Sequence, residues 1–130
     1  MESQKNKVPE EILVAAKQFY RQGAMHDAAS TLSGEIEKYP EDAEGQFLYA
    51  AALLLSDRYA EAVAPFERVL QIEPRNERAS LGLFHSLWKM ERCHEALMEA
   101  RRFFRDGGES MEYRRLFKGM IRSYKEAGID

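Results

Sequence analysis

The residues best suited to chemistry in this chain are three histidines and a single cysteine. A histidine beside a carboxylate can transfer protons or bind a metal, and a thiolate can act as a nucleophile. His26 stands next to Asp27 and His94 next to Glu95, whereas His85 has no acidic neighbour in the sequence. No HExxH pair, no Cys/His spacing typical of zinc and no glycine-rich phosphate loop occurs. The sequence therefore predicts no enzyme, no metal site and no cofactor.

Basic side chains concentrate toward the C-terminus, where they alternate with aromatic ones. Residues 89–130 carry 10 basic and 8 acidic side chains, against 7 and 13 in residues 9–88. Residues 101–105 (RRFFR) and 113–118 (YRRLFK) have the composition that nucleic-acid binders also use. Their aromatics fall on helix faces needed for packing, and the isoelectric point is near 5.7. An acidic protein partner therefore suits this region better than nucleic acid.

Composition predicts one folded domain. The 130 residues are 45% apolar and 32% charged, with a net charge of -3, which is ordinary for a globular protein. The lone Cys93 cannot form an internal disulfide, and the chain opens without a charged-then-apolar leader, so we expect a cytoplasmic protein. The longest nearly apolar run, residues 47–55, is far shorter than the ~20 residues that a bilayer requires, so we expect no membrane association.

A step of 34 residues recurs along the chain. Alanines stand at this interval, and so do the residues that end each unit, with glycine replacing proline in the third. These marks are Ala28, Ala62 and Ala96, and then Pro40, Pro74 and Gly108. A fixed period of this length is the signature of a repeat architecture.

Between these marks, apolar residues follow helical spacing. In the first unit Ile12, Ala15, Ala16 and Phe19 lie at i, i+3, i+4 and i+7, and Gly23 is placed to end that helix. A second helix then carries Ala28, Leu32 and Ile36. The later units repeat the pattern, so each unit is predicted to be two antiparallel helices.

This arrangement resembles the tetratricopeptide repeat. The shared features are a small residue near the middle of the first helix, an aromatic or leucine three positions later, an alanine opening the second helix and a closing proline. The resemblance covers residues 9 to about 108. It implies an all-α solenoid of three helix-turn-helix repeats plus a C-terminal solvating helix, seven helices altogether. The expected boundaries are a disordered tail over 1–8 and a single domain over 9–127, with repeats at about 9–42, 43–76 and 77–110 and a capping helix over 111–127.

Some positions depart from the pattern of the family. The bulky residue usual early in the first helix is replaced by Gln46 and Ser80, and Pro65 is expected to kink a helix mildly because it removes one backbone hydrogen bond. Cys93 shares its repeat position with Met25 and Tyr59, which favours a packing role over a reactive thiol. In the capping helix Lys118 takes the position of Ala50 and Phe84, a charge that suits the end of an array.

A stripe beside the packing face of each first helix is more apolar than a solvated face should be. We expect it to line a concave groove that is apolar along most of its length and basic at one end, which would bind a partner segment with apolar anchors and an acidic end. The predicted groove residues are Leu13, Lys17, Tyr20, Phe47, Ala51, Leu54, Leu81, His85, Trp88, Arg115 and Arg122.

The function expected from this resemblance is a protein-interaction module of adaptor or chaperone type. Small bacterial proteins of similar build act as secretion chaperones or as neutralising partners of toxins, and the residues do not choose between these roles. Two alternatives stay open at this point. The stripe could be covered by neighbouring repeats or by a second copy of the chain, and in the second case the protein would be a self-associating homodimer. Alternatively, the basic C-terminal face could bind nucleic acid.

Overall fold

Between residues 6 and 128 the chain forms seven α-helices. A computed structural model describes residues 6–128 and contains no strand in that range, as the all-α prediction requires. The helices are α1 (Glu10–Arg21), α2 (Met25–Ser33), α3 (Ala43–Leu55), α4 (Tyr59–Ile72), α5 (Glu77–Lys89), α6 (Cys93–Arg105) and α7 (Met111–Glu126). Consecutive helices pack on one another along the stack from α1 to α6.

The three alanines at the 34-residue interval lie in the packed interior between helices. Ala28, Ala62 and Ala96 are each completely buried in the second helix of a pair. A methyl side chain lets two helix backbones approach closely, so the small residue at this position sets the spacing within each pair. The predicted pairing of helices is confirmed.

The turn inside each pair has the same backbone conformation in all three pairs, although only the first turn contains a glycine. Gly23, Asp57 and Glu91 occupy the same repeat position, and all three have a positive φ, of 78°, 60° and 62°. At each turn the next residue donates its N–H to a carbonyl five residues back, as Arg92 does to Leu87 at 2.9 Å. This is the Schellman arrangement that ends a helix, and only the first turn uses glycine for it.

The second helix of the first unit is shorter than predicted. It ends at Ser33, and Ile36 lies in a separate short 3-10 segment, Ile36–Lys38. Serine and glycine are weak helix formers, and the run Ser33-Gly34 stops α2 where the other second helices continue. Ile36 is nevertheless fully buried, so the apolar spacing identified a core residue but not its local conformation.

The beginning of the described chain is packed, which corrects one boundary. Residue 8 was assigned to a disordered tail, yet Val8 is 4% exposed and its N–H donates to the Asp42 carboxylate at 2.9 Å. Asp42 also accepts from the N–H of Gly45 at 3.1 Å and so caps α3. The segment before α1 is thereby fastened to the start of α3. Residues 1–5 of the predicted tail lie outside the described residues.

The two polar departures from the repeat pattern are both buried and both bonded. The Gln46 side-chain amide donates to the carbonyls of Ile36 and Tyr39 at 3.2 and 3.1 Å, which satisfies backbone groups of the irregular segment before α3. Ser80 donates to Glu99 at 2.6 Å. Each polar side chain therefore replaces a bulky apolar one with hydrogen bonds to its surroundings.

Pro65 lies inside α4, which runs without interruption from Tyr59 to Ile72. The ring is buried, and its missing N–H removes the bond to the carbonyl of Glu61. The mild kink expected at this position stays a prediction.

Candidate partner-binding groove

The first helices of the three pairs form one face of the stack. The backbones of α1 and α3 are in contact, and so are those of α3 and α5. Among the described residues, α2 does not approach α4, nor α4 approach α6, to a comparable extent. A stack whose first helices lie closer together than its second helices curves toward the first helices. The face of α1, α3 and α5 is therefore the inner one, where the sequence placed the groove.

Most predicted groove residues are neither buried nor fully exposed. The ones that lie half-buried on the three first helices are Leu13, Lys17, Tyr20, Phe47, Leu54, Leu81, His85 and Trp88. Ala51 is only 7% exposed and offers little surface to a partner. Arg115 and Arg122 are exposed on α7, and neither forms an ion pair within residues 6–128.

Charged side chains from the next first helix cover parts of the stripe. At the first junction the Lys17 ammonium lies 3.4 Å from the Glu44 carboxylate. At the second, the Arg78 guanidinium lies over the Phe47 ring, 4.8 Å from its centroid. Glu44 and Arg78 occupy the same repeat position, the second residue of α3 and of α5. Both are exposed, and the pairs contribute little to stability because water screens them.

Phe47 is held from two sides. Its ring meets the buried Phe66 ring edge-on at 6.1 Å, and Arg78 covers another part of it. Apolar surface lying beneath an exposed guanidinium is surface that a binding partner can contact, since the Arg78 side chain can change rotamer or bind a carboxylate itself. We missed Glu44 and Arg78 as groove residues, although their shared repeat position was visible in the sequence.

Trp88 marks the C-terminal end of the apolar stripe. Its ring stacks on the buried Phe84 ring at 5.7 Å and meets Tyr124 of α7 at 6.4 Å. The indole therefore joins α5 to α7. Arg115 and Arg122 are exposed on the same helix, α7, and the basic end of the groove stays a prediction.

His85 lies on the same helix face as Trp88 and is half-buried. Burial lowers its pKa below the usual 6.5, and the nearby Lys89 ammonium lowers it further. The imidazole is therefore uncharged at neutral pH, so the stripe remains free of added charge at this position. The other two histidines, His26 and His94, are exposed on α2 and α6.

The N-terminal end of the stripe opens into a cleft of about 650 Å³. Leu13 and Lys17 of the predicted groove line it together with Val8 and Asp42, and acidic Glu10 and Glu44 lie at its edge. Lys7 also lines this cleft, so the N-terminal end of the stripe carries both signs of charge, whereas Arg115 and Arg122 on α7 are both cationic.

Titratable side chains form no metal-like cluster in the part of the chain that the structure describes: no three of His, Cys, Asp and Glu come together there. Cys93 is half-buried at the first residue of α6. Between residues 6 and 128, no helix combines the length and the apolar character needed to cross a bilayer.

The largest buried polar group at the far end of the stack was also missed. The Glu99 carboxylate, 8% exposed, accepts from Arg102 at 2.7 and 2.8 Å and from the Ser80 hydroxyl at 2.6 Å. Ser80 in turn bonds to the hydroxyl of Tyr113, on α7, at 2.9 Å. The only signal for this buried carboxylate in the sequence was Ser80, a serine at a repeat position that is usually bulky.

No protein-family model matches this chain, and neither does any curated protein at a significant level.

Proposed function

We propose that this protein is a tetratricopeptide-type interaction module that holds a segment of another protein against the inner face of α1, α3 and α5. The observation that carries the proposal is the stripe of half-buried apolar side chains on these three adjacent helices, on the inside of the curve. A partly exposed apolar stripe on a curved helical array is the surface such arrays use for binding.

The repeat assignment is supported by three matching units. Each has a buried alanine in its second helix and a left-handed residue in its turn, at the same 34-residue interval. These positions require the same backbone geometry three times, which a chance resemblance in composition would not produce. The proposed role is binding without catalysis.

The chemistry of the stripe indicates the kind of segment it would hold. Leu54 and Leu81 with the rings of Phe47 and Trp88 suit apolar anchors at helical or alternate spacing. The uncharged His85 adds no penalty for such anchors. The exposed Arg115 and Arg122 suit a carboxylate at one end, so we propose a partner segment with an acidic end next to α7. Adaptor, secretion chaperone and toxin-neutralising roles all use such a segment.

Photo-crosslinking tests the location of the site. A benzoylphenylalanine in place of His85, in the stripe, is expected to capture one partner in the native host extract, identified by mass spectrometry. The matched control places the same group at Ile72, which is 43% exposed at the end of α4 and outside the stripe. Equal capture of the same protein from both positions would refute the groove. Capture of a second copy of the chain alone would replace partner binding with self-association.

Truncation of the stripe tests its energetics. Phe47→Ala with Trp88→Ala is expected to weaken binding of the captured partner at least tenfold, as buried aromatic anchors do. Both rings also pack inside the protein, so some loss of stability accompanies the loss of affinity. Leu55→Ala with Ile72→Ala removes two apolar side chains that lie outside the predicted groove and are more exposed, at 54% and 43%, and should leave affinity unchanged. Retained helical circular dichroism in both doubles validates the comparison.

A further inference from the structure

Helix α7 stands farther from the stack than the first helices before it. The backbones of α2 and α3, and of α4 and α5, pack closely, whereas those of α6 and α7 touch at few positions. The reason lies in the side chains at each junction. Gly82 of α5 lies against the Phe66 ring of α4, with no side chain of its own between them. At the last junction aromatic rings face one another instead, with Phe104 centred 5.3 Å from Tyr113 and 6.1 Å from Phe117.

The separation leaves a cleft between α6 and the C-terminal half of α7. Its volume is about 230 Å³, and its apolar walls come from Leu97 and Met98 on one helix and Ile121 and Tyr124 on the other. Met98 is 49% exposed and so offers apolar surface at the mouth of the cleft. No residue of the predicted groove lines this cleft, although Tyr124 in its wall also contacts Trp88 of the inner stripe.

The charged groups on the rim of this cleft are the cations of Arg101 and Lys125. His94, Arg101 and Lys125 line it, and the lining contains no carboxylate. Arg101 and Lys125 are exposed, and neither is in an ion pair within the described residues. Two unpaired cations beside an apolar pocket favour an occupant that brings its own negative charges.

We propose that the α6/α7 cleft is a second docking site, which takes one apolar side chain of an acidic protein segment. The volume is below the ~300 Å³ at which small-molecule pockets begin, so it suits a single leucine, methionine or phenylalanine anchor better than a cofactor. Carboxylates flanking the anchor would meet Arg101 and Lys125. This site goes beyond the proposed inner groove and does not depend on it.

Methyl NMR of the full chain tests the site directly. The probe is the synthetic peptide Glu-Asp-Glu-Leu-Glu-Asp-Glu with blocked ends, added to protein carrying labelled Met and Ile methyl groups. One anchor with charged flanks should bind with a dissociation constant of about 1 mM. Saturable shifts are expected for Met98 and Ile121. Met111, which is 70% exposed at the start of α7 and outside the cleft, should not move.

Two control peptides and two variants separate the contributions. Replacing the leucine of the peptide by serine, or its acidic residues by lysine, should abolish the Ile121 shift. Met98→Glu adds a repelling charge inside the cleft and should abolish it too. Ile72→Glu changes the net charge equally on an exposed apolar site elsewhere and should preserve it.

The proposal is overturned if millimolar peptide gives no saturable shift at Met98 and Ile121, or if the lysine peptide or Met98→Glu binds as well. Shifts of the same methyls on raising the protein concentration alone would assign the cleft to a second copy and overturn it as well. Met98→Glu should leave crosslinking through residue 85 intact, so failure of this site and failure of the inner groove are distinguishable.

Discussion

Adding one methyl group at Gly82 should destabilise the protein, although the same change in another helix should stabilise it. A Cβ on Gly82 would lie 2.3 Å from the nearest carbon of the Phe66 ring, which is 1% exposed and cannot move into solvent. A Cβ on Gly119, in the middle of α7, would meet nothing within 4 Å. The two substitutions therefore share their intrinsic helix effect and differ in packing alone.

The expected changes in unfolding free energy follow from helix propensity and from packing. Replacing a helical glycine by alanine stabilises by about 1 kcal/mol, which is the expected result for Gly119→Ala. Overpacking a core site costs about 1–3 kcal/mol, and the deep overlap with Phe66 places Gly82→Ala toward the upper end. We expect Gly82→Ala to lower the free energy of unfolding by about 1–2 kcal/mol, so the two variants should differ by about 2–3 kcal/mol.

Urea denaturation followed by circular dichroism measures both values. Replacing the Phe66 ring by a smaller side chain provides the internal check. Phe66→Leu should lower the free energy of unfolding less in the Gly82→Ala background than in the parent, with a coupling energy of about 1 kcal/mol or more. If Gly82→Ala is as stabilising as Gly119→Ala, or if the two changes at the α4/α5 junction are additive, the reasoning that a missing Cβ sets this helix spacing is wrong.

Three further outcomes are expected from single changes. Glu91→Gly should raise the free energy of unfolding by about 0.5–1 kcal/mol in a denaturation experiment, because relief of a left-handed conformation outweighs the added flexibility of glycine; a loss of stability would contradict this. Tyr113→Phe removes the hydroxyl that bonds to Ser80 and should cost about 1 kcal/mol by the same measurement; no change would show that the bond contributes nothing. Folding lowers the pKa of His85, so the contribution of this residue to stability is present above about pH 6.5 and declines as the pH falls toward the lowered pKa. An NMR titration should place that pKa below 6.5. His85→Gln should weaken the loss of unfolding free energy on the acid side of pH 6.5.

Much of the helical framework was predictable because its signals are local or periodic. The buried positions of Ala28, Ala62 and Ala96 follow from a 34-residue interval, and the end of α1 follows from Gly23. Local signals failed where a neighbour far along the chain decides the outcome. Val8 looked like part of a tail because its partner, Asp42, lies 34 residues away.

The groove was predicted less completely than the framework. Repeat arithmetic identified a stripe on the first helices, and all of those residues except the buried Ala51 are half-buried. The repeat pattern could not show that Arg78 covers Phe47 or that Trp88 joins α5 to α7, because both contacts depend on how far side chains extend from one helix to another. It also missed the α6/α7 cleft, which exists only because bulky rings meet at that junction.

By itself the sequence determined the class of fold, the number of helices and the interval at which they recur, because each of these depends on spacing within one segment or on a repeat of it. Only the tertiary structure decided how closely neighbouring pairs approach. Gly82 accepts the Phe66 ring at one junction, while aromatic rings hold α7 away at another. Each distance between neighbouring helices is set by the volumes of the side chains that meet there. These side chains come from distant parts of the chain, and no local pattern shows which of them will meet.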